Sequence, residues 1–258
     1  MKFHKKGKSH SRDTLSTGSL HDIPDFREKS SSILRCQIAY NRYGGYCIPH
    51  SSSHRPAAKR TLAGEVWEPE TIEFMTSHCG SGDVVHAGAY FGDFLPALAR
   101  ACGDGAKVFA FEPNYENYRC ASVTMLLNDL KNIELSNMGL GSQNGWETMK
   151  ITDSDGVHLG GGSRMVESIE DDRIVHEQVR MVRLDEVIPN SRIVTLLQLD
   201  VEGFEQEALS GAMGLIKRCS PIIILETLPE TSWLEANVFS LGYTIKRLVH
   251  RNTVLVLN

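Results

Sequence analysis

No two cysteines in this sequence form a Cys-x-x-Cys pair. The six, at Cys36, Cys47, Cys79, Cys102, Cys120 and Cys219, are scattered, so a structural zinc site has no ligand spacing to build on. A chain of this length does not depend on a disulfide frame, and the cysteines read as buried or free thiols in a reducing compartment. Any apolar run near the roughly 18 residues that cross a bilayer is also missing, which excludes a transmembrane helix. The start, Met1-Lys2-Phe3-His4-Lys5-Lys6, is basic but lacks the apolar stretch of a secretory signal. These absences lead us to expect a cytoplasmic protein. The charge balance lacks a basic excess: the formal net charge is −5, and no nucleic-acid partner is expected of such a chain.

What is present suffices for a substantial core, since 41% of the 258 residues are hydrophobic. Residues 1–33 are polar, rich in Ser, Lys, Arg and His, and are expected to form a flexible tail. Residues 34–79 are expected to pack on the following domain as an N-terminal extension. They carry a loop composition at Ser51-Ser52-Ser53-His54-Arg55-Pro56. Glu68-Pro69-Glu70 then opens a helix with proline in its first turn. Residues 80–258 form the main domain, with an insertion at about 145–190.

Within that domain the segments 83–88, 107–111, 132–136, 193–199 and 221–225 read as strands. Between them Phe94, Leu95, Leu98, Ala99 and Cys102 recur at helical spacing. Asn114 can cap a helix that turns Cys120, Val123, Leu127 and Leu130 to one face. Residues from Phe204 to Ile216 read as one amphipathic helix. Strands alternating with helices imply an α/β fold with a doubly wound, mostly parallel sheet. The chain ends in strands at 243–248 and 253–257 joined by His250-Arg251-Asn252. So tight a connection cannot join parallel neighbours, and the last strand must run antiparallel. In the insertion, 146–151 and 178–184 look like strands. The run Gly160-Gly161-Gly162-Ser163-Arg164 between them is expected to be mobile and to lie over the mouth of the sheet.

Ligands of open α/β sheets bind at the carboxyl ends of the strands. The first strand ends in Gly88-Ala89-Tyr90-Phe91-Gly92, where glycine lets the backbone turn sharply against a ligand. Its Gly-x-x-x-Gly spacing is not the dinucleotide pattern Gly-x-Gly-x-x-Gly. The second strand ends in Glu112-Pro113-Asn114, and a carboxylate there can accept both hydroxyls of a ribose; a solvated acid or helix-dipole partner is the alternative. After the third strand, Asn137 can bond an adenine edge with Met138 packed on the ring. The fourth strand ends in Asp200, followed by Glu202, and the fifth in Glu226. If those strands are neighbours, their ends lie about 5 Å apart. Two carboxylates that close need a shared proton or a cation, and oxygen ligands suit Mg²⁺. Asp200 and Glu226 are therefore the candidate metal or proton-transfer pair, with a purely structural role as the alternative.

These motifs together resemble the FkbM family of S-adenosylmethionine-dependent methyltransferases. The resemblance rests on 84–94, 108–114, Arg183-Leu184-Asp185, 199–211 and 221–226. It implies a Rossmann-like class I methyltransferase fold, a seven-stranded sheet with an antiparallel last strand. It also implies O-methylation of a hydroxyl on a small molecule, sugar or secondary metabolite. By position it sets Gly88, Tyr90 and Gly92 at the methionine part of the cofactor and Glu112 at the ribose. Asp200 and Glu202 come near the reacting end. With the strand-end readings, the expected cofactor set is His86, Gly88, Ala89, Tyr90, Gly92, Glu112, Pro113, Asn114, Asn137, Met138 and Asp200. The expected catalytic groups are Asp200 as base, Glu226 assisting, and His158 beside the glycine run. His86 stands where the family commonly carries an aspartate, and a neutral imidazole attracts a cation less than a carboxylate does. Two alternatives stay open: a catalytically silent methyltransferase-like binding module, and an NAD-linked oxidoreductase. The partners expected of the methyltransferase reading are a small-molecule hydroxylated acceptor and, compatibly with it, further copies of the chain in a homo-oligomer.

Overall fold

The computed structural model describes residues 33–169 and 171–258; of the expected tail only Ile33 lies within them. The chain opens with an antiparallel hairpin, β1 (Cys36–Asn41) and β2 (Gly44–Pro49). Helices α1 (Pro56–Leu62) and α2 (Pro69–His78) follow, each with proline in its first turn, where the missing N–H has no helical partner to lose. Next come β3 (Asp83–Ala87), α3 (Leu95–Ala101), β4 (Val108–Phe111), α4 (Tyr115–Leu127) and β5 (Ile133–Ser136). Four short strands come next: β6 (Gly139–Leu140), β7 (Gly145–Lys150), β8 (Arg164–Val166) and β9 (His176–Val182). The remainder is α5 (Leu184–Val187), β10 (Val194–Leu199), α6 (Glu205–Ser210), α7 (Met213–Cys219), β11 (Ile222–Leu225), α8 (Thr231–Asn237), β12 (Tyr243–Val249) and β13 (Asn252–Leu257).

Seven strands make the central sheet, in the order β12-β13-β11-β10-β3-β4-β5. The neighbours from β11 to β5 pair in parallel. Strand β13 slots between β11 and β12 and is antiparallel to both. From β3 the chain steps outward to β4 and β5, then returns to the other side of β3 as β10. Strand order therefore reverses between β3 and β10, where open sheets leave a crevice at their carboxyl ends.

Both faces of the sheet are covered, as parallel sheets require. Val85, Ala87, Leu197 and Leu199 pack toward one helical layer. Val84, Val108, Ala110, Leu196 and Ile224 pack toward the other, with α2 and α3. Asp83 sits buried at the start of β3. Its carboxylate accepts the Lys107 backbone N–H at 2.8 Å and is gripped by both arms of the Arg192 guanidinium, Nε at 2.7 Å. A carboxylate is tolerated at such depth only when paired and hydrogen-bonded in this way.

Several elements differ from the sequence reading. The buried face of α4 is Asn117, Cys120, Ala121 and Thr124, while Leu127 is exposed. Polar groups fix this face: the Thr124 hydroxyl accepts the Cys47 N–H of β2 at 3.0 Å and donates to the Phe91 carbonyl at 2.8 Å. The helix read over 204–216 is two, α6 and α7. At the break Gly211 lies so close to the Gly141 carbonyl that a Cβ would not fit. Asp185 then caps α7, accepting from the backbone of Gly214 at 2.9 Å and Leu215 at 2.7 Å. Leu184, read as the end of a strand, opens α5. The region after β5 builds a second sheet, β6-β9-β7-β8, and its glycine run, expected to be loose, forms a packed 3-10 turn at Gly160–Gly162. Among the described residues no helix is long and apolar enough to cross a membrane.

Candidate active site

A cleft opens at the carboxyl ends of β3, β4 and β10. It encloses about 490 Å³, counting the part open to solvent. Ala87 and Gly88 from β3, Phe111, Glu112 and Pro113 from β4, and Asp200 to Glu202 after β10 form its floor. Met138 and Leu140 close one side. The second sheet adds Met149 and Met165, and the glycine run adds Gly160, Gly161, Ser163 and Arg164 as a roof.

The β3 turn is held in conformations that side chains resist. Gly88 has φ +85°, and a Cβ built there would lie 3.0 Å from the Asp200 carbonyl carbon and closer still to its oxygen. Backbone thus meets backbone, which only glycine permits. Gly92 has the same φ against Thr124 and Ala121. Tyr90, not a glycine, also has positive φ, at 46°. Such strain persists only where the surroundings over-determine it. Here the Tyr90 N–H donates to Glu112 Oε2 at 2.7 Å and its hydroxyl to Ser52 Oγ at 2.7 Å.

Glu112 is 5% exposed and is the hub of the turn. Oε1 accepts from the Asn114 backbone at 2.9 Å and from Asn117 Nδ2 at 3.4 Å. Burial pushes its carboxyl up to about 8, against the pull of the Asn114 and Tyr90 amides. Three donors leave lone pairs free on the carboxylate, and its place on the cleft wall lets a ligand hydroxyl reach them.

Asp200, Glu202 and Glu226 come together, with carboxylate oxygens that can all lie within 4.8 Å of one another. Strands β10 and β11 are neighbours, and the Glu226 N–H donates to the Leu199 carbonyl at 3.1 Å. Asp200 is held well above the usual carboxylate range, first by burial and then by its hydrogen bond to Glu226. Glu202 is raised by burial and by Glu226, with Arg55 and Arg164 opposing. The group can hold a proton between carboxylates or offer oxygen ligands to a cation. Asp93, on the turn before α3, is also pushed up, to about 7, by burial and by the charge of Glu68.

The other residues singled out from sequence are dispersed around this cleft. His86 is not among its walls. The two-residue period of a strand turns it, with Val84, toward α3, where it stacks on Phe94 at 5.3 Å between centroids and bonds Gln198. Burial lowers its imidazole to about 4. Asn114 caps α4 by accepting from the Asn117 N–H at 3.0 Å. Asn137 spends its amide on the carbonyls of Glu112 and Pro113, both at 2.9 Å, so its NH₂ ties the β4 turn and Met138 alone of the two faces the cleft. Ala89 is fully buried. His158 forms an isolated bridge with Thr152 beyond β7, outside the cleft lining.

Sequence reasoning missed Asn117, Ser52 and Phe204. Asn117 also donates to the Gly160 carbonyl at 3.3 Å, and a polar residue three positions past a cap on an otherwise apolar face was the available signal. Met149 and Met165 carried none.

Residues 86–243 match the sequence profile of the Methyltransferase FkbM domain. No curated protein matches the chain. Among solved structures, a methyltransferase FkbM from Methylobacillus flagellatus KT is 18% identical with a TM-score of 0.46; the match covers 69% of this chain and 44% of that one. This chain thus spans less than half the length of that protein. A SAM-dependent methyltransferase from Aquifex aeolicus is 15% identical, TM-score 0.38, covering 74% and 88%. A methyltransferase from Geobacter sulfurreducens is 14% identical, TM-score 0.43, covering 80% and 86%.

Proposed function

The chain belongs to the FkbM methyltransferase family, and from that premise we propose that it transfers a methyl group from S-adenosylmethionine to a hydroxyl of a small molecule. One observation carries the reading: Gly88, Glu112 and Asp200, from the ends of three adjacent parallel strands, border a single cleft. The cofactor fits what borders it. Gly88 lets the β3 turn press against the Asp200 backbone and still border the cleft, and Glu112 has acceptor capacity for ribose hydroxyls. Met138 offers an apolar wall for a base. S-adenosylmethionine supplies, when bound, an electrophilic methyl group on a sulfonium.

The protein's own work is to orient the acceptor and take its proton. A hydroxyl is a weak nucleophile until partly deprotonated, so a base near the operating pH is needed. Asp200 suits that task because burial and Glu226 raise its proton affinity. Glu226 shares the proton taken up, and Glu202 adds acceptor capacity beside them. The same three carboxylates offer the oxygen donors that Mg²⁺ takes. Met149, Met165 and Phe204 give the cleft apolar walls.

Labelled methyl transfer tests this reading. Asp200→Asn should cut turnover by about 10²–10⁴, the span of general base catalysis, and leave S-adenosylhomocysteine binding within a few-fold. Chelator should slow the parent only if a cation bridges the carboxylates. Full turnover by Asp200→Ala, with and without chelator, would remove both the base and the metal roles.

A further inference from the structure

Five of the six thiols have another thiol beside them. Cys79 lies beside Cys102, and Cys36 and Cys120 both lie beside Cys47. Only Cys219 has no thiol neighbour; it bonds Arg218 and the Arg192 carbonyl instead. The row of three has the more pointed placement. In the β1–β2 hairpin Cys36 faces Pro49 and Ile38 faces Cys47, so the two cysteines are diagonal neighbours on one face. Cys36 is exposed, while Cys47 and Cys120 are buried in a cluster with Tyr46 and Phe91.

Access and acidity fall on different members of the row. An oxidant meets Cys36 first. Cys120 first, and Cys36 after it, ease the ionisation of Cys47 to about 7 against the cost of burial, while burial and Cys47 push the Cys36 thiol up to about 11. An exposed sulfur next to a sulfur that ionises near neutrality is the arrangement of a dithiol that closes on oxidation.

We propose that Cys36 and Cys47 form a redox modification site, converted by hydrogen peroxide to a reversible disulfide whose closure loosens the glycine turn. The Cys36 thiol passes its proton to the ionised Cys47 sulfur beside it and attacks a peroxide oxygen. The O–O bond breaks, hydroxide leaves and is protonated to water, and Cys36 becomes a sulfenic acid. The Cys47 thiolate attacks that sulfur, the S–O bond breaks, and the departing hydroxide becomes a second water. Two thiols and one peroxide thus give one disulfide and two waters.

The coupling follows from distance. Diagonal neighbours in a hairpin have Cα atoms roughly 7–8 Å apart, whereas a disulfide holds them within about 6.8 Å. Closure therefore draws Cys47 toward β1 and away from α4. The Cys47 N–H is bonded to Thr124 Oγ1 at 3.0 Å, and that hydroxyl to the Phe91 carbonyl at 2.8 Å. The pull reaches Phe91, inside the turn between Gly88 and Gly92, through two hydrogen bonds.

The test uses the full chain, treated with hydrogen peroxide, quenched in acid, and alkylated in denaturant. A non-reduced digest should contain a peptide linking Cys36 to Cys47, lost on adding dithiothreitol and absent in Cys36→Ser, with Cys219 alkylated throughout. Hydrogen exchange on the oxidised protein should quicken about fivefold at the amides of 47 and 88–92, the factor given by losing roughly 1 kcal/mol of hydrogen bonding. Exchange in Cys36→Ser should not respond to peroxide. A Cys36 found as sulfinic acid beside an alkylated Cys47, or a Cys47–Cys120 link in its place, overturns the proposal. So does unchanged exchange in a chain that carries the Cys36–Cys47 link. Neither readout involves a cofactor or methyl transfer, so the outcome is independent of the proposed function.

Discussion

Replacing Gly88 with alanine separates two costs that usually come together. Gly88 and Gly105 have nearly the same left-handed backbone, φ +85° and +78°. At Gly105 a Cβ would meet nothing within 4 Å. At Gly88 it would press into the Asp200 carbonyl, 3.0 Å from the carbon and nearer to the oxygen. Gly105→Ala should therefore cost only the left-handed penalty of about 1–2 kcal/mol, less the roughly 0.4–1 kcal/mol by which alanine restricts the unfolded chain. Gly88→Ala adds an overpacking cost of about 1–3 kcal/mol. Neither contact partner can yield cheaply, because both are backbone at neighbouring strand ends, tied by the Asp200 N–H to the Ala87 carbonyl at 3.2 Å.

The expected totals are about 0.5 kcal/mol for Gly105→Ala and about 3 kcal/mol for Gly88→Ala. At roughly 2–4 °C per kcal/mol for a chain of this size, Tm should fall by about 2 °C and about 9 °C. Calorimetry with S-adenosylhomocysteine should show binding lost in Gly88→Ala and kept in Gly105→Ala. Equal Tm losses in the two variants would refute the close approach of β3 and β10 on which the site depends.

The carboxyl of Glu112, held up to about 8 by burial, gives a pH test of the ribose role. Its ionised form, the better acceptor, grows as pH rises through that value, so S-adenosylhomocysteine should bind tighter at pH 9 than at pH 6.5. Glu112→Gln should bind about 10- to 100-fold more weakly, matching about 1.5–3 kcal/mol for hydrogen bonds to a charged group, and show no such pH trend. A flat parent profile would count against Glu112. His86→Asp should lower stability by about 3 kcal/mol, through the lost stacking on Phe94 and a buried unpaired carboxyl, while cofactor affinity stays within about twofold. A tenfold gain in affinity would place residue 86 in the cleft after all. Asp83→Ala strips Arg192 of its partner. The expected cost is about 3 kcal/mol, toward the lower end for buried pairs because Arg192 is partly exposed. Methyl transfer per folded molecule should be unchanged, since Asp83 lies at the far end of β3 from the cleft.

Much of the fold was legible because parallel strands covered on both faces read as near-continuous apolar runs, as 84–88 and 194–199 do, broken only by His86, Thr195 and Gln198. The connection after β12 was legible for a different reason: it is too short to join parallel strands. Gly88, Glu112 and Asp200 were legible because each follows such a run directly, so the chain's own turn puts them at the cleft, and Glu226 was legible in the same way beside Asp200. His86 was not, because one residue further back the two-residue strand period turns the side chain to the α3 face. Of the second sheet, β7 and β9 were legible as the strands at 146–151 and 178–184, and the two short strands were not. Strands of two and three residues, β6 and β8, leave no periodicity to detect, and the cleft walls Met149 and Met165 come from that sheet. The face of α4 was misread because leucines suggested it, whereas Thr124 and Asn117 decide it through hydrogen bonds.

Tyr90 shows why the site needs segments that are distant in sequence. An L-residue at φ 46° carries strain on the order of 1–3 kcal/mol, and no single neighbour offsets it. Its N–H is held by Glu112 from the end of β4, and its hydroxyl by Ser52 ahead of α1. Its ring lies against Gly160 and Gly161, where any Cβ would crowd it. Three parts of the chain thus converge on one residue of the turn, and each does so through a different feature: a carboxylate, a hydroxyl, and the lack of a side chain. That explains the glycine run better than looseness does. Its glycines are small because Tyr90 and Arg55 already fill the space beside them. The roof of the cleft is therefore set by the same tyrosine that shapes its floor, and a change at residue 52 reaches the turn without touching any wall that a ligand would meet.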